Sequence, residues 1–260
     1  MIRIEALESS ETHEWNEELT AFERQFRYPL GDDYFRIDHG ARYLAFFETL
    51  GAPRLFAALD DERLVGVLVA VRRDLEIEGR IHVADYLGDL KVVADRRQGI
   101  LSRRLLRAFD ETSTVRCAYG VSMNPRSAPN RVAHALASLP GVEVAGTLAL
   151  FSLDFEAITR IEAECIRALG KLRWIDHAGC KDIVLERTGT PMPLLHLRHG
   201  AGSHGDAGRP RPGYVHMICL DETHTFVGRL CELGFEPATA SVLARNCPWG
   251  DWSFVSSGDI

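Results

Sequence analysis

Apolar positions in the first fifty residues recur at helical spacing. Trp15, Leu19, Phe22 and Phe26 fall on one face of 10–28, and Tyr43, Leu44, Phe46 and Phe47 repeat the pattern near 38–49, which ends at Gly51 and Pro53. Two helices are therefore expected to begin the fold. Residues 54–59 and 64–71 are then rich in β-formers and joined by Asp60-Asp61-Glu62, a hairpin signal, and 80–93 (RIHVADYLGDLKVV) is a longer strand. The stretch after it, ADRRQGILSRRLLRAF, carries Leu101, Leu105, Leu106 and Phe109 on one side and predicts a helix. A strand over 115–123, a helix over 131–139 and a strand over 144–153 follow. The expected order to about residue 155 is α-α-β-β-β-α-β-α-β, an α/β chain.

Beyond 155 a helix is expected over 156–169, and the loop HGAGSHGDAGRPRPG at 199–213 has too much Gly and Pro for regular structure. Residues 214–255 echo 119–153: YVHMICLD, THTFVGRLCELGF, EPATASVLARN and DWSFVSS follow the order strand, helix, strand, final strand. Two domains are expected, 1–155 and 156–260.

Composition narrows the class. With 260 residues, 46% apolar and 26% charged, the chain can bury a sizeable core, and a net charge of −7 speaks against nucleic acid or a membrane surface as partner. Cys117, Cys165, Cys180, Cys219, Cys231 and Cys247 form no CxxC pair, so neither a zinc ribbon nor a disulfide scaffold is indicated. No signal peptide and no apolar run of spanning length occurs, and the expected location is the cytoplasm. His196, His199, His204 and His216 match no ligand spacing, and no metal is expected.

The candidate chemistry lies at Arg96-Arg97-Gln98-Gly99-Ile100-Leu101-Ser102, between a strand and a helix. Gly99 lets the backbone turn closely around an anion, and the first N–H groups of the helix face that anion with the favourable end of the dipole. Arg96, Arg97, Arg103, Arg104 and Arg107 make this segment locally basic in an acidic chain.

The stretch YLGDLKVVADRRQGILSRRLL resembles the acyl-CoA signature of the GNAT superfamily, a strand followed by Gln/Arg-x-x-Gly-x-Gly/Ala opening a helix. Arg96 and Gly99 match, while Leu101 stands where the pattern has a second small residue. SMNPRSAPNRVAHALASLPGVEVAGTLALFSL is similar to the family's second, Asn-containing motif. The resemblance covers about 1–155. It implies a GNAT fold with a mixed, V-splayed sheet. With the echo at 214–255, it makes 156–260 a degenerate second GNAT-like half expected to shape the acceptor site, and because Pro210 and Pro212 remove N–H donors from the glycine-rich loop, that half is expected to hold no CoA. It further implies acetyl-CoA or another acyl-CoA as co-substrate: pantetheine on the strand at Leu90, Lys91 and Val92, pyrophosphate on the amides of Gln98–Ser102, and the cofactor's arm held by Asn124 and Asn130.

The implied activity is transfer of an acetyl or related acyl group to an amine of a small molecule or peptide by direct attack on the thioester. Such attack needs a proton acceptor. Asp89 is the first candidate and Asp85 the second; strand alternation puts both on one face unless a bulge near Gly88 intervenes. The family's tyrosine acid is replaced by Ala137, leaving His134 or Tyr119 as substitutes. The alternatives are a non-catalytic acyl-CoA sensor or scaffold and an acyl-carrier-protein-dependent acyltransferase, and a homodimer is left open.

Overall fold

A computed structural model of the chain describes residues 1–30, 33–96, 100–200 and 208–260. In chain order it contains β1 (Ile2–Glu8), α1 (Asn16–Glu23), β2 (Tyr28–Leu30), β3 (Asp33–Asp38), α2 (Ala45–Leu50), β4 (Ala52–Asp60) and β5 (Arg63–Ile77). Next come β6 (Arg80–Val92), α3 (Ile100–Thr112), β7 (Ala118–Met123), α4 (Arg131–Ala137), β8 (Val142–Leu153) and α5 (Phe155–Leu169). The chain continues through β9 (Leu172–Ile175), β10 (Asp182–Leu185), β11 (Leu194–His199), β12 (Val215–Asp221), α6 (Thr225–Glu232) and β13 (Ala238–Arg245).

Two compact units emerge, and neither is continuous in sequence. One comprises 1–74, 83–118 and 178–192; the other comprises 75–82, 119–177 and 193–260. The expected boundary at 155 falls at the start of α5, within the second unit.

In the first unit the strand order is β1-β4-β5-β6. β4 is antiparallel to both β1 and β5, with an irregularity at Ala58/Leu59. β5 has Leu64–Val71 buried throughout, the composition of a strand covered on both faces. α3 packs on β4 and β1, burying Leu101, Leu105 and Phe109, while α2 packs on β4 through Phe46, Phe47 and Leu50. A small antiparallel sheet, β10-β3-β2, completes this unit.

The second unit has strand order β7-β13-β8-β12-β11-β9. It is mixed: β8 is antiparallel to both β13 and β12, and β11 is parallel to β12. α5 starts at Asp154, whose carboxylate accepts a hydrogen bond from the Ala157 amide at 2.7 Å, and ends at Gly170 with φ 75°. Its buried face, Ile158, Ile161, Cys165 and Leu169, joins Phe151, Leu195, Leu197, Ile218 and Leu230 in one core.

Several expectations change. The fold begins with β1 rather than a helix, and the long helix expected over 10–28 is a 3₁₀ turn, Ser9–Trp15, followed by the short α1. Residues 38–44 all precede α2, and β2, β3 and β10 had no counterpart in the sequence pattern. DWSFVSS forms no strand, because Trp252, Phe254 and Trp249 pack against one another instead. Among the described residues no helix is long and apolar enough to cross a membrane.

Candidate functional site

β6 leads through a 3₁₀ turn, Ala94–Arg96, towards α3, so the expected strand-turn-helix order is present. Arg97, Gln98 and Gly99 lie outside the described residues. Arg96 is exposed and its guanidinium meets Asp60 at 2.6 Å. The first N–H groups of α3, on Ile100, Leu101 and Ser102, have no intrahelical acceptor by the geometry of any helix start. Ile100 is exposed, Ser102 half-buried and Leu101 buried; the Leu101 side chain belongs to the apolar face with Leu105 and Phe109. Leu101 therefore offers a ligand only its backbone.

Side chains along β6 change parity between Gly88 and Asp89. Asp85 lies towards the end of α3: its carboxylate accepts a 2.6 Å hydrogen bond from Ser113 and pairs with Arg72 at 3.4 Å. A Cβ on Gly88, three residues on, would instead meet the Phe47 ring of α2 at 3.1 Å. Val92 faces Leu105 of α3 across Gly66, so Lys91 points the opposite way. Asp89 points with Lys91, since their carboxylate and ammonium meet at 2.9 Å. Strict alternation would have put Asp85, Asp89 and Lys91 on one side. Asp89 has φ 50°, in the left-handed region that Asp tolerates better than most residues, and a bulge here accounts for the change.

The bulge points Asp89 into a buried polar cluster. Lys91 Nζ lies 2.8 and 2.7 Å from the two carboxylate oxygens of Glu23 on α1. Asp89 Oδ2 accepts a hydrogen bond from the Tyr43 hydroxyl at 2.9 Å and lies 3.1 Å from His39 Nε2. Burial alone would raise the Asp89 pKa, but the Lys91 ammonium and His39 hold it well below the usual carboxylate range. For Glu23 burial wins, helped by repulsion from Asp89, and its pKa is raised. Burial would lower the Lys91 pKa, yet Asp89 and Glu23 raise it above the ordinary lysine value. Burial pushes Tyr28 up to about 12, and burial with the charges of Asp89 and Glu23 raises Tyr43 well above the ordinary tyrosine value.

Glu23, His39 and Asp89 have ligand atoms within 4.8 Å of one another, the one such grouping among the described residues. The Lys91 ammonium already bridges the two carboxylates, so the cation this cluster needs is its own. Asp89 is thus an ionised acceptor surrounded by donors, which makes it a weak base. Sequence reasoning singled out Asp89 and Lys91 but missed Glu23, His39 and Tyr43. Glu23 sits beside Phe22 on a helix of mixed pattern, and nothing local marks it as buried.

The remaining candidates lie in the second unit. Tyr119 is a core residue, 5.8 Å from Trp252 and 5.6 Å from Phe254 between ring centroids. His134 is exposed on α4. Asn130 caps α4 by accepting from the Ala133 amide at 2.9 Å, and its amide nitrogen donates to Asn124 Oδ1 at 2.8 Å. Asn124 in turn is bonded to Ser241 at 2.8 Å and Thr239 at 3.1 Å. Both asparagines are engaged in shaping the loop between β7 and α4.

No protein-family model matches the sequence, and no curated protein matches it either. Solved structures do. One is a tandem GNAT protein from the clavulanic acid biosynthesis pathway, without acetyl-CoA: 11% identity, TM-score 0.52, covering 94% of this chain and 98% of that one. Another is Saccharomyces cerevisiae N-myristoyltransferase with bound myristoyl-CoA: 9% identity, TM-score 0.51, covering 94% of this chain and 79% of that one. At these identities the likeness is one of fold.

Proposed function

The chain has the fold of the GNAT superfamily, with a second GNAT-like half, and from that premise we propose that it is an acyltransferase using acyl-CoA. The reaction is transfer of an acetyl or related acyl group to an amine of a small molecule or peptide. The cofactor half is 1–155, and 156–260 shapes the acceptor side; the expected setting is the cytoplasm. Pantetheine lies along β6 at Leu90–Val92, and the pyrophosphate rests on the amides of 98–102 at the start of α3.

The observation that carries this reading is the bulged β6 followed by a thirteen-residue helix, Ile100–Thr112, whose first amides have no intrahelical acceptor and whose arginines are exposed. A bulge leaves a backbone N–H outside the ladder, and such a donor next to the thioester would stabilise the negative charge that develops on its oxygen. The bound myristoyl-CoA of the yeast structure supports an acyl-CoA ligand for this fold. Calorimetry with acetyl-CoA tests the binding, and thiol release in the presence of primary amines tests the transfer. Binding without release from any amine would favour a CoA-binding sensor, and absence of binding would remove the acyl-CoA reading.

A further inference from the structure

We propose that His39 takes the proton of the attacking amine and that Asp89 is its positioning partner. This deepens the acyltransferase reading and rests on it. His39 follows β3, and its backbone is held by the turn at Gly40, which has φ 68° and whose amide donates to Asp38 at 2.9 Å. Only glycine fits there, since a Cβ would stand 2.0 Å from the carbonyl oxygen of Gly179. The imidazole lies 4.4 Å from the Tyr43 ring and 5.8 Å from the Phe47 ring between centroids. The ring is therefore fixed from both ends, as a proton-transfer group must be.

Its two nitrogens have different surroundings. Nε2 stands 3.1 Å from Asp89 Oδ2. The approach falls short of a linear hydrogen bond, a common state of catalytic contacts before substrate arrives. An ionised carboxylate at that distance places the proton of a neutral imidazole on Nε2. Nδ1 then carries the lone pair, and Nδ1 is buried with no hydrogen-bond partner among the described residues. A buried acceptor without a donor is costly, and the N–H of an incoming amine is the donor that would relieve it. The charged and titratable groups that face the ring are Glu23 from α1, Tyr43 before α2 and Asp89 from β6, with Lys91 and Tyr28 beyond them against Glu23 and Asp89. The Lys91 ammonium is spent on Glu23 and Asp89.

The amine nitrogen bonds to the thioester carbon as one of its protons moves to His39 Nδ1. The C–S bond breaks with its electron pair on sulfur, and the proton passes from the imidazolium to the thiolate. The products are an amide and CoA thiol, and the imidazole is regenerated.

The test has two arms. In the first, imidazole ¹⁵N shifts are recorded on the full chain, with the His39 signals identified by their loss in His39→Gln. A proton on Nε2 and none on Nδ1 at pH 7.5 is expected. The opposite tautomer, or an imidazolium that persists from pH 6 to 9, would overturn the proposal. In the second arm, acetyl-CoA turnover is measured with putrescine, glycinamide and an alanyl peptide. His39→Gln should lower kcat/KM by about a hundredfold to ten-thousandfold and abolish its rise with pH, with acetyl-CoA affinity unchanged. Asp89→Asn should slow turnover but keep that rise, as befits a positioning residue. If Asp89→Asn loses the rise and His39→Gln keeps it, Asp89 is the base and the proposal fails. If wild-type protein does not bind acetyl-CoA, the acyltransferase reading fails instead, and the tautomer arm still reports on His39.

Discussion

A lysine that is 7% exposed keeps its charge only where anions hold it, and Lys91 has two. Removing it would leave Glu23 and Asp89 enclosed with no matching cation. Breaking a buried pair from one side typically costs about 3–5 kcal/mol. Lys91→Met is therefore expected to unfold at lower urea than wild type at pH 8. Glu23 has a raised pKa even with the lysine present, so the folded state binds its proton more tightly than the unfolded state does, and the variant gains stability relative to wild type as pH falls through the folded-state value. Urea midpoints at pH 8 and pH 5 should converge; a constant gap would mean that Glu23 is not the residue left uncompensated. Asp89, with its pKa held low, works in the opposite direction, and its contribution is lost only in stronger acid. What could be read of this cluster from sequence was the β6 strand, its two aspartates and the provision for a bulge near Gly88. Glu23 and His39 could not be found, because they come to Asp89 from elements 66 and 50 positions away in a chain of 260.

Among the elements, α3 was legible because its apolar residues repeat at 3.6-residue spacing without interruption, and β6 because it is long and ends at a clear turn. β1 was missed although IRIEALE alternates; its charged residues read as a polar terminus, whereas its backbone pairs with β4 from Ile2↔Asp60 to Glu8↔Arg54. Three-residue β2 is too short to show any period. Leu101 illustrates how one motif position can serve two purposes. Its side chain packs under α3 while its amide belongs to the helix start, so the two can be separated by mutation. Leu101→Ala should cost about 2–5 kcal/mol in urea unfolding and leave acetyl-CoA affinity nearly unchanged below the transition. Gly99→Val should do the reverse, abolishing binding in calorimetry with little change in stability. Unchanged affinity in Gly99→Val would move the cofactor away from this turn. At the bulge, Gly88→Val would drive a Cβ to 3.1 Å from both the Phe47 and Tyr86 rings, so turnover should fall more steeply than acetyl-CoA affinity. Equal losses in the two would show that the bulge only helps to hold the cofactor.

At the scale of the whole molecule, the repeat in the sequence corresponds to β7-α4-β8 and β12-α6-β13, which share one strand set in the second unit, with β13 lying between β7 and β8. The repeat was visible because both copies keep strand, helix and strand at similar spacing. The interlocking of the copies was not, since pairing between distant strands leaves no local trace. This arrangement decides how many cofactors the chain should take. In the proposed cofactor half, β6 is followed by α3, and the helix start would supply the N–H groups for a pyrophosphate. In the second half β11 occupies the corresponding place, yet no α-helix stands between it and its parallel neighbour β12 among the described residues. The segment between them contains Pro210 and Pro212, which have no N–H to donate. Without a full set of amides there, the second half should not hold a second pyrophosphate. Titration of the full chain with acetyl-CoA should give one site per chain, and Gly99→Val should eliminate it without revealing another. Two sites of similar affinity, or a residual site in Gly99→Val, would mean that the glycine-rich segment binds phosphate despite its prolines.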